Sequence, residues 1–196
     1  MQHPREEKTF IMIKPDGVRR GLIGEILKRI ERADLKIVAL SMFQPTRQQI
    51  DDHYPKDKKW IERLGDKTKN TYTKYGYDLM GEMGTENSLK IGEEVRKWLI
   101  DYMVSSPLVK VVIQGSHAVD LARKMVGVTM PALAEMGTIR GDFSADSAVA
   151  ANRDKRAVHN IIHASETKEE AEYEIKHWFG ADDICSYRRA EDSLRE

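Results

Sequence analysis

Thr9-Phe10-Ile11-Met12-Ile13-Lys14-Pro15-Asp16-Gly17-Val18 is the stretch from which the rest of the chain is read. Its first five residues are a short apolar run, the pattern of a buried strand. Lys14-Pro15-Asp16-Gly17 then stops the run with turn-forming chemistry. A lysine is left at the edge of a rigid element, where sites are usually built. Downstream, Ile23, Ile26, Leu27 and Ile30 recur at i, i+3, i+4 and i+7, one face of an amphipathic helix; Glu25, Lys28, Arg29 and Glu31 occupy the other face. Residues 36–43 predict a second strand, and Thr46 an N-cap for a short helix ending near His53.

From residue 55 to 92 the texture changes. Lys, Asp and Tyr are frequent, and Trp60, Ile61 and Leu64 suggest one helical stretch. The segment is too short for a core of its own, so it reads as an inserted module. Val95, Trp98, Leu99 and Tyr102 at helical spacing place a helix over 93–103. Residues 108–113 predict a strand, 118–126 a helix and 127–138 a loop around Pro131. A second insertion-like stretch covers 144–156; a short strand over 160–164 and a charged helix over 168–179 follow. The chain, 1–196, is therefore read as one domain with insertions at about 55–92 and 144–156. Strands and helices alternate, but several connections are helical pairs. Helices over an antiparallel sheet fit this order as well as a parallel α/β fold does.

Composition narrows the function classes. Charged residues make up 33% of the 196, above the usual level of about 25%, which predicts a well-hydrated surface. Lys plus Arg and Asp plus Glu number 32 each, so no global field draws the chain to nucleic acid or anionic lipid. Cys185 is the only cysteine, which rules out an intrachain disulfide and a Cys-rich metal site and agrees with a reducing compartment. Residues 1–8 lack the apolar stretch of a signal peptide. No apolar run approaches the ~18 residues of a membrane span. The expectation is a cytoplasmic protein with neither membrane nor nucleic acid as partner.

Three stretches carry chemistry. The first holds Lys14. In the second, Thr138-Ile139-Arg140-Gly141-Asp142-Phe143, an arginine sits between two turn-like pairs; in the third, Asn160-Ile161-Ile162-His163-Ala164-Ser165-Glu166, a histidine ends an apolar strand. Two cations and a histidine make a phosphate site. Neutral imidazole is a nucleophile, and an unperturbed histidine is mostly neutral at pH 7. Lysine and arginine neutralise phosphate oxygens, arginine bidentately. The plain alternatives are a solvated lysine, an arginine paired with Asp142 or Glu135, and a structural histidine. Gly17, Gly21 and Gly24 cluster without a Walker pattern. His159 and His163, if both lie in a strand, are ~13 Å apart, too far for one metal ion.

In this order and combination, the stretches resemble the nucleoside diphosphate kinase family. Arg20-Gly21-Leu22-Ile23-Gly24-Glu25-Ile26, the pair His53-Tyr54, and Gly127-Val128-Thr129-Met130-Pro131 followed by Gly137-Thr138 extend the likeness. It spans about 9–179 outside the two insertions. The resemblance implies an α+β ferredoxin-like sandwich, an antiparallel four-stranded sheet covered by helices. It implies reversible transfer of the terminal phosphate of a nucleoside triphosphate, typically ATP, to a diphosphate such as GDP. The phosphate passes through a phosphohistidine at His163 by a ping-pong mechanism. Glu174 stands where a glutamate fixes the histidine tautomer, and Tyr54 where a tyrosine supports lysine and histidine. Lys14, Arg123, Thr129 and Arg140 match phosphate and ribose ligands, and Asn160 the contact to the 3′-hydroxyl. Mg2+ is implied as cofactor, held mainly by the phosphates, with Glu166 reaching it through water. A homo-tetramer or homo-hexamer is also implied.

Departures from the family pattern concentrate around the base. Val95 falls where a phenylalanine stacks on it; Ala164 replaces glycine, Glu166 aspartate, Met130 asparagine and Met136 proline; Val158 and His159 stand for Gly and Arg. Trp60, Tyr72, Tyr75 and Tyr77 of the first insertion are candidates for the missing aromatic shelf. Surface decoration or oligomer contact is the alternative role of that insertion. Three other function classes compete: a nucleotide-binding scaffold, a nucleic-acid module and a phosphocarrier protein. The first is disfavoured by the presence of His163 with its cations, the second by the neutral charge.

Overall fold

A computed structural model describes residues 6–190; the N-terminal reading over residues 1–5 lies outside them. In chain order the elements are β1 (Glu7–Ile13), α1 (Pro15–Arg19), α2 (Ile23–Arg32), β2 (Lys36–Phe43), α3 (Arg47–His53), α4 (Lys58–Tyr75), α5 (Leu79–Met83) and α6 (Ser88–Met103). They continue with β3 (Leu108–Gly115), α7 (Ala118–Val126), α8 (Ile139–Phe143), α9 (Ala148–Arg153), β4 (Ile162–Ala164) and α10 (Lys168–Trp178). The strands form one sheet in the order β2-β3-β1-β4, and every neighbouring pair is antiparallel. The ferredoxin-like sandwich holds, and the parallel alternative does not.

The packing of the sheet explains why β1 is apolar from Phe10 to Ile13. Ile11 and Ile13 face one layer, packing with Ile26 and Ile30 of α2 and Ala122 and Val126 of α7. Phe10 and Met12 face the other, packing with Ile50 of α3, Met103 of α6 and Trp178 of α10. Both faces of the sheet are covered, so the central strand shows no polar alternation. Thr46 caps α3 as expected, in a capping box with Gln49.

Two stretches read as loop or strand differ in the structure. Lys14-Pro15-Asp16-Gly17 is not a simple turn: Pro15 opens the short helix α1, where its missing N–H is harmless. The strand expected over 160–164 shortens to β4, because Ile161 is left-handed at φ 68°, a strained state for a β-branched residue. Two bonds hold it there. Ile161 N donates to the Asp16 carboxylate at 3.0 Å, and Lys14 N donates to Ile161 O at 2.7 Å. The lysine turn and the histidine strand are thereby locked to each other.

The stretch 55–92 is more helical than its thin apolar face suggested. α4 runs for 18 residues, and α6 starts at Ser88 under an Asn87 cap, upstream of the expected residue 93. α4 and α6 pack antiparallel at two glycines. A Cβ on Gly65 would lie 1.9 Å from Ser88 O, and one on Gly92 1.9 Å from Ile61 O. The second stretch, 144–156, contributes α9, which packs on α4. Arg153 reaches Glu82 at 3.6 Å, and its guanidinium lies 4.6 Å from the Tyr77 ring centroid. The two stretches are one structural unit.

Candidate active site

His163 is the middle residue of β4 and pairs in register with Met12 of β1. Its Nε2 meets the Glu174 carboxylate at 2.8 and 2.9 Å. Glu174, from α10, is 4% exposed and also accepts from Ser165 Oγ at 2.6 Å. Burial alone would push its carboxyl up; the contacts with His163, His53 and Ser165 outweigh that and hold it below the usual range. An ionised carboxylate against Nε2 favours the tautomer with hydrogen there, leaving the Nδ1 lone pair available. His53 lies behind this pair, 3.7 Å from Glu174 through Nδ1, and accepts from Trp178 Nε1 at 3.3 Å. Burial first, then His163, pushes His53 down to about 3, so it stays neutral.

Lys14 leaves β1 into the same pocket and is 8% exposed. Its Nζ donates to Asn160 Oδ1 at 2.8 Å. Burial, reinforced by Arg140 and opposed by Asp16, pushes the Lys14 ammonium down to about 7. Asn160 in turn donates to Thr129 O at 3.1 Å. The lysine and asparagine therefore present one pinned polar pair, with Thr129 on the adjoining loop and its side chain exposed.

Arg140 pairs with neither Asp142 nor Glu135. Its guanidinium donates to Asn160 O at 3.2 Å, Gly127 O at 2.7 Å and Ile162 O at 2.6 Å. It ties the loop after α7 to both sides of the left-handed Ile161. Burial, then Arg123, pushes it down to about 10, which leaves it charged. Five N–H donors minus three used leave two for a ligand. Arg123, from α7, meets Glu166 at 3.4 Å, and both are well exposed. Asp142 instead binds Arg29 at 2.7 Å.

Tyr54 comes to the pocket by packing. Its ring centroid lies 5.1 Å from His53 and 6.1 Å from Trp60. Among the described residues its hydroxyl makes no hydrogen bond to Lys14 or His163, and its contacts there are those of the ring. Val95 is half-buried on α6. Of the four insertion aromatics, Trp60 alone touches a site residue. Tyr72 is 2% exposed and bonded to Glu82 at 2.8 Å, while Tyr75 and Tyr77 stack on each other. His159 stacks on Tyr102 at 5.0 Å, away from His163. Asp16, Ser165 and Trp178 bond to Ile161, Glu174 and His53, and sequence reasoning passed them over. Asp16 and Ser165 lay inside the quoted motifs, and Trp178 carried no signal beyond helical spacing.

Comparison with known proteins bears on all of this. A family model described as nucleoside diphosphate kinase matches residues 7–64 and 89–184. The unmatched 65–88 falls inside the first insertion-like stretch. Nucleoside diphosphate kinase of Pyrobaculum aerophilum is 42% identical over 178 residues, covering 91% of this chain and 97% of the relative. That of Archaeoglobus fulgidus is 34% identical, covering 95% of each. Among solved structures, the Pyrobaculum aerophilum NDP kinase superposes with a TM-score of 0.89 at 40% identity, covering 92% of this chain and 100% of that one. The Borrelia burgdorferi enzyme, a transition-state mimic with vanadate and ADP, gives 0.78 at 33% identity, covering 98% of both. Among the described residues, no helix is long and apolar enough to cross a membrane.

Proposed function

Because the chain belongs to the nucleoside diphosphate kinase family, we propose that His163 is the residue through which it acts. The chain is a phosphotransferase: it moves the terminal phosphate of a nucleoside triphosphate to a diphosphate through a phosphohistidine. In the reading supported best here, the His163 Nδ1 lone pair attacks the terminal phosphorus. The new N–P bond forms as the P–O bond to the leaving diphosphate breaks. Positive character grows on the ring, and Glu174, already against Nε2, stabilises it in place. Arg140, Arg123 and Lys14 receive the phosphate charge, and the Lys14–Asn160 pair meets the ribose 3′-hydroxyl. A second diphosphate reverses the steps. The observation that carries the reading is a buried carboxylate at 2.8 Å from His163 Nε2 beside two buried cations.

The donor set suits Mg2+ brought in by substrate phosphates. The pocket is lined by Lys14, Arg123 and Arg140, and the carboxylate at its rim, Glu166, faces Arg123 at 3.4 Å. That leaves Glu166 to meet a water of the ion, and no all-protein cage. When bound, the ion supplies charge neutralisation for the phosphates. None of these contacts reads a base edge, so purine and pyrimidine, ribo- and deoxyribonucleotides are all expected substrates. Trp60 is the insertion aromatic placed to serve as base shelf. Exposed Leu40 and Met42 on edge strand β2, and Val128, Leu133 and Met136 on the loop after α7, favour assembly into a homo-tetramer or homo-hexamer. The single-domain reading with two insertions, and a cytoplasmic location suited to the free Cys185, complete the proposal.

The deciding experiment is incubation with γ-labelled ATP followed by GDP. Acid-labile, alkali-stable label on the protein, released by GDP, is expected. Label that is acid-stable, or that GDP does not discharge, sinks the assignment of His163.

A further inference from the structure

We propose that the pocket behind His163 is also an inhibitory site for a divalent transition cation of the zinc class, held by His53 Nδ1, His163 Nε2 and a Glu174 oxygen. The inhibitory consequence rests on the reading of His163 as phosphate acceptor.

The three ligand atoms lie within 4.8 Å of one another. Glu174 Oε1 is 2.8 Å from His163 Nε2 and 3.7 Å from His53 Nδ1. Zinc bonds of about 2.0–2.2 Å in a tetrahedron set ligand atoms roughly 3.3–3.5 Å apart. The two separations from Glu174 straddle that value, and with the whole set within 4.8 Å, side-chain movements of about an ångström close the site. Each group comes from a different packed element: His53 ends α3, His163 lies in β4 and Glu174 in α10. Two imidazole nitrogens and one carboxylate suit zinc, whereas magnesium prefers an oxygen shell. The substrate's own magnesium therefore does not compete. The His53 lone pair is engaged by the Trp178 indole N–H at 3.3 Å, a long bond that a cation displaces. Entry runs past His163, whose side chain is 23% exposed against 5% for its two partners.

Capture disarms the nucleophile by moving one hydrogen. A neutral imidazole carries a single ring hydrogen. In the metal-free pocket it sits on Nε2, facing Glu174. A cation on the Nε2 lone pair forces that hydrogen onto Nδ1. No proton need leave the ring, but Nδ1 loses the lone pair that would attack phosphorus. Glu174 is taken as a ligand at the same time.

The test titrates the full chain, free of nucleotide, with Co2+ as a spectroscopic stand-in. Tetrahedral ligand-field absorption in the visible is expected, saturating at one equivalent and lost on adding Zn2+. His53→Asn keeps an acceptor for the Trp178 indole but removes an imidazole ligand. It is expected to weaken Co2+ binding at least about tenfold, the scale on which even outer-shell partners affect metal sites. Absence of the absorption, or equal affinity in the variant, overturns the site. Long-range 1H–15N NMR of the wild-type imidazoles makes the outcome independent of how the variant folds. Zn2+ should shift His53 and His163 nitrogens; shifts confined to His117, His159 and His177 overturn the proposal. Phosphotransfer from Mg–ATP separates this idea from the reading it rests on. An active enzyme that captures no cation sinks only the metal site. A chain that captures the cation but, when free of it, forms no phosphohistidine from Mg–ATP sinks the acceptor role and, with it, inhibition by this route.

Discussion

The pocket behind β4 and the helical unit of α4, α6 and α9 are both tightly packed, but they bury different things. In the pocket, Lys14, Arg140, Asn160, Ser165 and Glu174 are all under a tenth exposed, and each is hydrogen-bonded. In the helical unit, close approach comes from Gly65 and Gly92, and the buried aromatic is Tyr72. Burying polar groups is unfavourable unless they are paired, so a dense, paired cluster marks chemistry. Glycine contacts between helices mark architecture. On that contrast, substitutions in the pocket should change the reaction, and those in the helical unit should change stability.

Removing the proposed acceptor is the sharpest division between the two regions. His163→Ala is expected to abolish phosphoenzyme formation while nucleotide binding persists, because the cations remain. Filter-retained label from γ-labelled ATP and equilibrium dialysis with ADP check both halves. Label on the variant would move the acceptor elsewhere.

Trp60 is where the contrast could break. It belongs to α4 but packs on Tyr54 at the pocket. Stacking on an aromatic contributes about 1–3 kcal/mol per base in single-strand binders, so Trp60→Ala should raise nucleotide KM about tenfold at near-normal kcat. Tyr75→Ala and Tyr77→Ala should leave KM unchanged. Steady-state kinetics with ATP and two diphosphates decide it; equal KM for all three variants removes the base shelf from α4.

Gly92→Ala tests the architectural side. The added Cβ would sit 1.9 Å from Ile61 O, and overpacking of this kind costs about 1–3 kcal/mol. The melting temperature should fall by roughly 2–4 °C per kcal/mol, with kcat at saturating nucleotide retained. An unchanged melting curve would mean that α4 and α6 separate easily.

Lys14 ties the pocket to pH. The folded, nucleotide-free protein holds its proton only up to about pH 7, the unfolded chain to about 10.4. Between those values the unfolded state binds more protons, so this group makes stability rise with pH across the window. Lys14→Met should remove that rise in urea titrations at several pH values. Anionic phosphates restore the charge, so nucleotide binding near pH 8 should take up a proton, by up to about one equivalent. Calorimetry in two buffers of different ionisation enthalpy reads this directly, and zero uptake would refute the depressed ammonium.

The smallest effect is expected at Arg153, which joins the two insertion-like stretches through Glu82 and Tyr77. Its side chain is half exposed, and such pairs contribute at most about 1 kcal/mol. Arg153→Ala should shift the melting curve slightly and leave KM alone. A large KM change would show that the helical unit is coupled to the pocket.

Much of this was legible before any coordinates. The apolar run of β1, the period of α2 and the cap at Thr46 each answer to a local rule, and the structure keeps them. His163, Lys14 and Arg140 each end or border a rigid element, and the order of their three stretches, which resembles the family pattern, made them legible as a set. The helicity of 58–75 was not, because its apolar face is thin and its packing depends on glycines, which leave no hydrophobic period. The insertion aromatics misled for a related reason: a tyrosine's sequence neighbours do not say whether its ring meets a base, a glutamate or another tyrosine.

By itself, then, the sequence determined the strands of the sheet and the periodic helices such as α2, and which side chains have phosphate chemistry, since these follow from local pattern and residue type. The family resemblance implied a pairing of Glu174 with His163, but only tertiary structure set its distance of 2.8 Å and buried the carboxylate. Tertiary structure also decided the left-handed Ile161 held by Asp16 and Lys14, and the burial that lowers the lysine. Those properties depend on distances between residues up to 147 positions apart, and on the exclusion of water that only the packed sheet and helices provide.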